Sequence, residues 1–139
     1  MMNYPSILVD SCAFVSFYNK RDSNHSLVYE FFLKCTSQLI TTTACITETI
    51  WLLNFDYRAQ NEFLEDLITE VYIHQSLTLW DFSRIAELNE KYADRRADFA
   101  DLSLIAVSER LDIPAIATFD KDFQVYRRYR NQPFVNVLA

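Results

Sequence analysis

Short apolar runs alternate along this chain with longer segments in which apolar residues recur every three or four positions. The short runs are rich in β-branched residues and predict buried strands, whereas the longer segments predict amphipathic helices. We predict strands over residues 6–9, 38–41, 71–73, 115–119 and 134–137.

The helices are bounded by polar residues that can cap them. Asp10 can cap a first helix, and Thr42 or Thr43 can cap a later one. Further helices are predicted over about 26–35, 58–68, 78–92, 98–111 and 122–129. The helix at 78–92 is expected to bury one apolar stripe, which consists of Leu79, Phe82, Ile85, Ala86 and Leu88.

Strands that alternate with helices of ten or more residues are typical of an α/β fold, with a parallel sheet covered by helices. The 139 residues fit one domain, 1–139, without an internal repeat or linker. In such folds ligands bind beyond the carboxyl ends of the strands. Functional residues are therefore expected at that edge of the sheet.

The cysteines and the apolar runs indicate in which cellular compartment the protein is expected and which kinds of site are unlikely. Three cysteines, an odd number without Cys-x-x-Cys spacing, favour reduced thiols in the cytoplasm over a disulfide framework or a zinc knuckle. No apolar run is long enough to cross a bilayer, so no membrane association is expected. The N-terminal residues have no basic region before an apolar stretch, so no signal peptide is predicted.

The net charge and the lack of glycine argue against several kinds of phosphate-binding protein. A net charge of −6 argues against a protein whose whole surface binds polyanions. The chain has no glycine, which excludes the P-loop and the dinucleotide-binding fingerprint. Arginines cluster at residues 95–96 and 127–130. These arginines have two alternative roles, either as the solvated face of a helix or as contacts to phosphate groups. Tyr126 and Tyr129 could stack on bases there, although core packing is the favoured role.

Acidic residues are concentrated where the predicted strands end. Asp10 follows the first strand, Glu48 lies in the helix after the second, and Asp120 follows the strand at 115–119. Asp98 and Asp101 are three apart and share a helix face. Each acid alone could be a helix cap or a surface residue. Together they would repel one another unless a cation neutralised them.

Carboxylates without histidine or thiolate partners suit hard divalent ions, which points to Mg²⁺ or Mn²⁺. Such an ion can activate a water for attack on phosphorus and stabilise the leaving oxygen. The acids therefore predict phosphodiester hydrolysis without a serine or cysteine nucleophile. A receiver-like phosphoacceptor module is disfavoured, because Asp10 is followed by Ser11 and Cys12 and not by a second acid.

Four motifs resemble those of PIN domains, and specifically of small bacterial VapC-type toxins. The resemblance covers nearly the whole chain, and the last two motifs are the more specific. They are residues 7–11 (ILVDS), 46–48 (ITE), 98–106 (DFADLSLIA) and 117–123 (ATFDKDF). The resemblance implies a three-layer α/β/α sandwich around a mainly parallel sheet. It also implies a Mg²⁺- or Mn²⁺-dependent endoribonuclease, often dimeric, with a small antitoxin that blocks its cleft.

Carried over by motif, the catalytic acids are Asp10, Glu48, Asp101 and Asp120. All four are metal-ligand candidates, and Asp98 is either a further ligand or a cap. Ser11 and Thr118 could orient neighbouring carboxylates. Asp112 stands where the turn before the last core strand often has glycine, and aspartate tolerates the left-handed conformation that such a turn requires. A binding module that keeps the fold without turnover is the alternative, although no key acid is missing.

Overall fold

A five-stranded parallel sheet forms the centre of the protein. The structure, a computed structural model, describes residues 3–139. The strands lie in the order β3-β2-β1-β4-β7, and every neighbouring pair is parallel. A separate antiparallel pair, β5 and β6, joins the C-terminal part. The strands are β1 (Ser6–Val9), β2 (Gln38–Thr41), β3 (Tyr72–His74), β4 (Ala115–Ala117), β5 (Arg127–Arg128), β6 (Gln132–Pro133) and β7 (Val135–Asn136).

In the described part of the chain, six α-helices connect and cover the strands. They are α1 (Ser11–Tyr18), α2 (His25–Lys34), α3 (Thr43–Leu52), α4 (Tyr57–Ile68), α5 (Leu79–Lys91) and α6 (Phe99–Leu111). Within the described residues, none of these helices has the length and apolarity needed to cross a membrane.

The core consists of two hydrophobic clusters, one on each side of the sheet, and successive side chains of β1 point into them alternately. Ile7 and Val9 point into one buried cluster, and Leu8 points into the other, because successive strand residues face opposite sides of a sheet. Helices α1, α2 and α4 pack on the first side, and α5 and α6 on the second. Helix α3 contributes to both. The predicted α/β/α sandwich is confirmed.

Polar caps turn the chain at the carboxyl edge of the sheet. Asp10 follows β1 and caps α1 by accepting the Ser11 N–H, and Thr42 follows β2 and accepts the Cys45 N–H to cap α3. Asp98 caps α6 by accepting the Asp101 N–H. These short polar side chains satisfy backbone donors that would otherwise be unpaired, and they start three helices at one edge of the sheet.

Helix α5 buries a different face from the predicted one. Leu79 is 88% exposed and Phe82 49% exposed, whereas Asp81 is fully buried. Asp81 closes a capping box with Thr78 and pairs with the Arg110 Nε at 3.0 Å. This ion pair fixes the rotation of the helix, so that Ile85 and Leu88 pack in the core and the first-turn apolar residues face outward.

The predicted helix over 122–129 is also wrong. A 3₁₀ turn covers Lys121–Gln124, and the chain then enters β5. The Arg128 guanidinium is buried and donates to Asp112 at 2.9 Å and to the Ser108 hydroxyl at 2.6 Å. Burying a guanidinium is unfavourable in free energy unless its donors are paired. The contacts of Arg128 therefore fix its position and keep the backbone there extended.

The turn before β4 forms without glycine, as expected. Asp112 adopts φ 55° and ψ 54°, which lie in the left-handed region. Its carboxylate accepts hydrogen bonds from Arg128 and from the Tyr129 hydroxyl. Among residues 3–139, four others also have positive φ, namely Glu70, Arg96, Arg130 and Asn131.

Candidate metal centre

Three carboxylates from distant parts of the chain meet at the carboxyl edge of the sheet. Asp10, Asp101 and Asp120 each offer one oxygen, and these oxygens lie within 4.8 Å of one another. Asp10 directly follows β1, Asp101 lies in the first turn of α6, and Asp120 lies three residues after β4. Parallel pairing of β1 with β4 brings the first and third together. We call these three residues the acid cluster.

The Asp10 carboxylate is buried and oriented by two strong donors. The Ser11 N–H donates to Oδ1 at 2.8 Å, and the Thr118 hydroxyl donates to Oδ2 at 2.8 Å. The same Thr118 oxygen accepts the Asp120 N–H at 2.9 Å. One hydroxyl therefore fixes an acid on each of two neighbouring strand ends. Asn136 in turn anchors Thr118 by accepting its N–H at 3.3 Å and donating to its carbonyl at 2.9 Å.

Asp101 is oriented from the other side of the cluster. The Tyr126 hydroxyl donates to its Oδ2 at 2.9 Å, and both side chains are buried. Tyr126 packs edge-on against Tyr92 and Phe123. Its aromatic body therefore belongs to the core, as favoured from the sequence, while its hydroxyl reaches the acid cluster.

Burial raises the pKa of two of these acids. Desolvation is the main cause for Asp10, whose pKa rises to about 6 despite the hydrogen bonds from Thr118 and Ser11. Desolvation also raises the pKa of Asp101 to about 8, helped by the negative charges of Asp10 and Asp98. The fully ionised cluster is therefore electrostatically unfavourable in the absence of a cation.

The chemistry of the cluster fits a divalent cation. Within residues 3–139, no lysine or arginine forms an ion pair with Asp10, Asp101 or Asp120. All three offer carboxylate oxygens, which are the ligands that hard ions prefer. A bound cation would supply the missing positive charge and lower the cost of ionising Asp10 and Asp101.

Glu48 and Asp98 lie beside the acid cluster but outside the three oxygens that meet within 4.8 Å. Glu48 is half-buried on α3 and accepts a hydrogen bond from the Ser11 hydroxyl. Asp98 is exposed, and its Oδ1 accepts the Asp101 N–H at 2.8 Å. The structure thus gives Asp98 a capping contact, and its charge still acts on Asp101.

Two contacts of the site were not predicted from the sequence. One is the hydrogen bond from Tyr126 to Asp101. The other is Cys12, whose thiol lies 3.5 Å from the Asp10 carboxylate and accepts the Phe119 N–H at 3.2 Å. Burial, with the neighbouring charge of Asp10, raises the pKa of the Cys12 thiol to about 12. No sequence motif marks either residue.

Comparison with known proteins gives one family and several similar folds. The model of the PIN domain family matches residues 7–129. The VapC20 toxin of Mycobacterium tuberculosis, described as cleaving the sarcin-ricin loop, superposes with a TM-score of 0.78 at 21% identity, covering 86% of this chain and 93% of the other. VapBC2 of Rickettsia felis, solved with a DNA fragment of its promoter, gives 0.62 at 13% identity, covering 94% and 98%.

No curated protein matches the chain significantly. The structural likenesses are below 25% identity and establish the fold. The family match spans most of the chain and includes all five candidate acids. The chain therefore belongs to the PIN domain family.

Proposed function

We propose that this protein is a divalent-metal-dependent endoribonuclease and the toxin of a type II toxin–antitoxin pair. The observation that carries the proposal is the acid cluster of Asp10, Asp101 and Asp120, which has no basic partner among residues 3–139 and lies at the ligand-binding edge of a PIN fold. Without a cation, ionising these neighbouring carboxylates is unfavourable in free energy.

The proposed metal ligands are the three residues of the acid cluster and Glu48. Asp98, which lies exposed beside the cluster, is an auxiliary acid. The cation is Mg²⁺ or Mn²⁺, because every candidate donor is a carboxylate oxygen. When bound, it lowers the pKa of a coordinated water and stabilises the charge that develops on the phosphate oxygens. The protein's own residues hold the site in place: Thr118 orients Asp10, and Tyr126 orients Asp101.

Glu48 is proposed as the fourth catalytic acid. It reaches the site from α3, which carries none of the other three acids, and the Ser11 hydroxyl restrains it by a hydrogen bond. Since its oxygens lie outside the tight group, it can bind a cation directly or through a water. A carboxylate in this position can also accept a proton from the attacking water.

The partners follow from the family and from the similar folds. VapC20 is described as cleaving the sarcin-ricin loop, which supports RNA as the substrate here. VapBC2 is a complex, which supports a small antitoxin partner. Homodimerisation and a cytoplasmic location belong to the same proposal. The three free cysteines, Cys12, Cys35 and Cys45, suit a reducing compartment.

The test is cleavage of a pool of cellular RNAs in the presence of Mg²⁺ or Mn²⁺, and again with excess chelator. We expect cutting only with metal, and a loss on the order of 100-fold in Asp10→Asn and in Asp101→Asn. Asp94→Asn, an exposed acid outside the cluster, is the matched control and should cut like the wild type. Circular dichroism confirms that each variant is folded.

Two results would contradict the nuclease assignment. Equal cutting by Asp101→Asn and the wild type would assign the activity to a contaminant. Metal binding without any cleavage would favour a silent binding module. For the toxin assignment, the product of a short adjoining reading frame should restore growth to cells that express this chain, and failure of every adjoining frame to do so would overturn it.

A further inference from the structure

An exposed ion pair joins the two segments that bring Asp101 and Asp120 to the acid cluster. Arg95 lies in the 3₁₀ turn before α6, and Asp122 lies in the 3₁₀ turn that begins directly after Asp120. The Arg95 Nη1 donates to the Asp122 Oδ1 at 3.2 Å, and the two side chains are 40% and 41% exposed. The pair therefore links two segments whose residues are 27 positions apart in the sequence.

Asp122 restrains both of these acids through its backbone. Its N–H donates to the Asp120 Oδ1 at 2.9 Å, which orients that carboxylate. Its carbonyl accepts the Tyr126 N–H at 2.9 Å, and the Tyr126 hydroxyl in turn donates to the Asp101 Oδ2 at 2.9 Å. A displacement of Asp122 would therefore move the hydrogen-bond donors of two candidate metal ligands at once.

The turn that contains Asp122 is anchored differently on its two sides. On the buried side, the rings of Tyr92 and Tyr126 pack edge-on with centroids 5.0 Å apart, and the Tyr92 hydroxyl accepts the Arg127 N–H at 2.9 Å. On the exposed side, Arg95 holds the Asp122 carboxylate. The core therefore fixes the inner side of the turn, and Arg95 restrains its outer side.

The charge of Arg95 is the wrong sign for direct help in binding a cation. A guanidinium is positively charged throughout the physiological pH range. Beside a cation site, that charge by itself lowers the affinity for a divalent ion. Any support that Arg95 gives to metal binding must therefore be geometric, through the position of Asp122.

Arg96, the next residue, provides a contrast. It is exposed, and within residues 3–139 it forms no ion pair. The sequence left a solvated surface and a phosphate contact open for both arginines. The structure separates them, because of the two only Arg95 is paired with the turn that follows Asp120.

We propose that Arg95 is a positioning residue of the acid cluster and acts through Asp122. The ion pair keeps Asp122 where its N–H orients Asp120 and where its carbonyl holds Tyr126 against Asp101. This inference rests on the proposed function, because it describes how the protein maintains the same metal site.

The test is a Mn²⁺ titration in which the free ion is followed by electron paramagnetic resonance. Arg95→Gln should weaken Mn²⁺ binding by about 2- to 5-fold, which is the effect expected from the loss of an exposed ion pair. Arg95→Lys should recover part of this loss, because its ammonium can still pair with Asp122. Arg96→Gln is the matched control, since it removes the same charge without breaking a pair, and its Mn²⁺ affinity should not fall.

A double-mutant cycle separates the position of Asp122 from the charge of Arg95. Asp122→Asn breaks the pair from its other side. In Asp122→Asn protein, the further change Arg95→Gln should leave Mn²⁺ affinity unchanged or raise it, because only a repulsive charge is then removed. The Tm of each variant in chelator should stay within about 3 °C of the wild type, which shows that the loss of affinity does not come from unfolding.

The outcomes separate this inference from the proposed function. Unchanged or tighter Mn²⁺ binding in Arg95→Gln overturns the inference even if the wild type cleaves RNA, and so does an equal loss in Arg96→Gln. Weaker Mn²⁺ binding in Arg95→Gln but not in Arg96→Gln, in a protein that never cleaves RNA, keeps the positioning role and overturns the nuclease. If Arg95→Gln weakens RNA binding but not Mn²⁺ binding, Arg95 contacts the substrate and the inference fails.

Discussion

At the scale of single residues, the Thr118 hydroxyl links two acids of the site. It donates to Asp10 and accepts from the Asp120 backbone, so it sets the spacing between two acids that follow different strands. Thr118 is buried and bonded to both acids, so its effect on catalysis is expected to act through the carboxylates.

Thr118→Val should lower cleavage and metal affinity by about 10- to 100-fold, which is the usual effect of removing a partner of a metal ligand. Thr118→Ser keeps the hydroxyl and should recover most of the loss. Rates and a Mn²⁺ titration measure both effects. A full-strength metal affinity in Thr118→Val would show that the hydroxyl does not orient Asp10.

The acid cluster also makes stability depend on pH. Burial raises the folded-state pKa of Asp10 to about 6 and of Asp101 to about 8, above the ordinary 3.8 of an unfolded aspartate. A raised pKa means that the folded protein binds protons more tightly than the unfolded one. This contribution to stability is complete below about pH 4 and is lost as pH rises to about 8.

Without metal, the Tm of the wild type should therefore fall between about pH 5 and about pH 8, relative to Asp101→Asn. The amide introduced in that variant does not titrate, so the variant's Tm should change less over the same range. Thermal denaturation in chelator measures both slopes. A wild-type Tm that rises more steeply with pH than that of the variant would contradict the raised pKa values.

At the scale of elements, α4 ends on a strained residue. Glu70 follows the helix with φ 61°, and the Val71 N–H bonds back to the Asp66 carbonyl at 2.9 Å. Glycine is the preferred residue in this position of a helix end. Its absence leaves a side chain in the left-handed region, where Cβ crowds the following carbonyl.

Glu70→Gly should raise the free energy of unfolding by about 1 kcal/mol. Glu65→Gly, an exposed substitution within the same helix, should lower it by about 1 kcal/mol. Urea denaturation of the two variants gives opposite signs if backbone conformation is the cause. Destabilisation by both would show that Glu70 makes a contact worth more than its backbone costs.

The helices differ in how much of their structure could be predicted from the sequence. The starts of α3 and α6 were predictable, because Thr42 and Asp98 cap them through local hydrogen bonds. The buried face of α5 was not, because it depends on the pairing of Asp81 with Arg110, 29 positions away. The extended path of the chain at Arg128 likewise depends on contacts with α6 and the turn that follows it.

At the scale of the whole molecule, the same distinction applies to the site. Asp10 and Asp120 could be named from their places after strands, since the carboxyl ends of parallel strands share one edge of the sheet. Asp101 and Glu48 lie in helices and were named from the motifs that resemble those of PIN domains. The ranking of the four acids could not be predicted, because only the packed structure separates the tight group of Asp10, Asp101 and Asp120 from Glu48. The Tyr126 contact depends on how the segment after β4 folds back on α6.

Metal binding should stabilise the whole fold. A cation that binds only the folded protein adds about 2.7 kcal/mol at 100 times its Kd. That corresponds to a rise in Tm on the order of 10 °C for a domain of this size. Thermal scans with and without Mn²⁺ measure it, and Asp101→Asn should lose most of the rise. An equal rise in that variant would place the cation elsewhere on the protein.

The absence of glycine, which leaves five other residues of the described chain at positive φ, also affects the unfolded state. Glycine has more backbone conformations to lose on folding than any other residue, which costs about 0.5–1 kcal/mol relative to alanine. A chain without it has a narrower unfolded ensemble and loses less entropy when it folds. Part of the stability of this protein therefore comes from how little freedom its unfolded chain has.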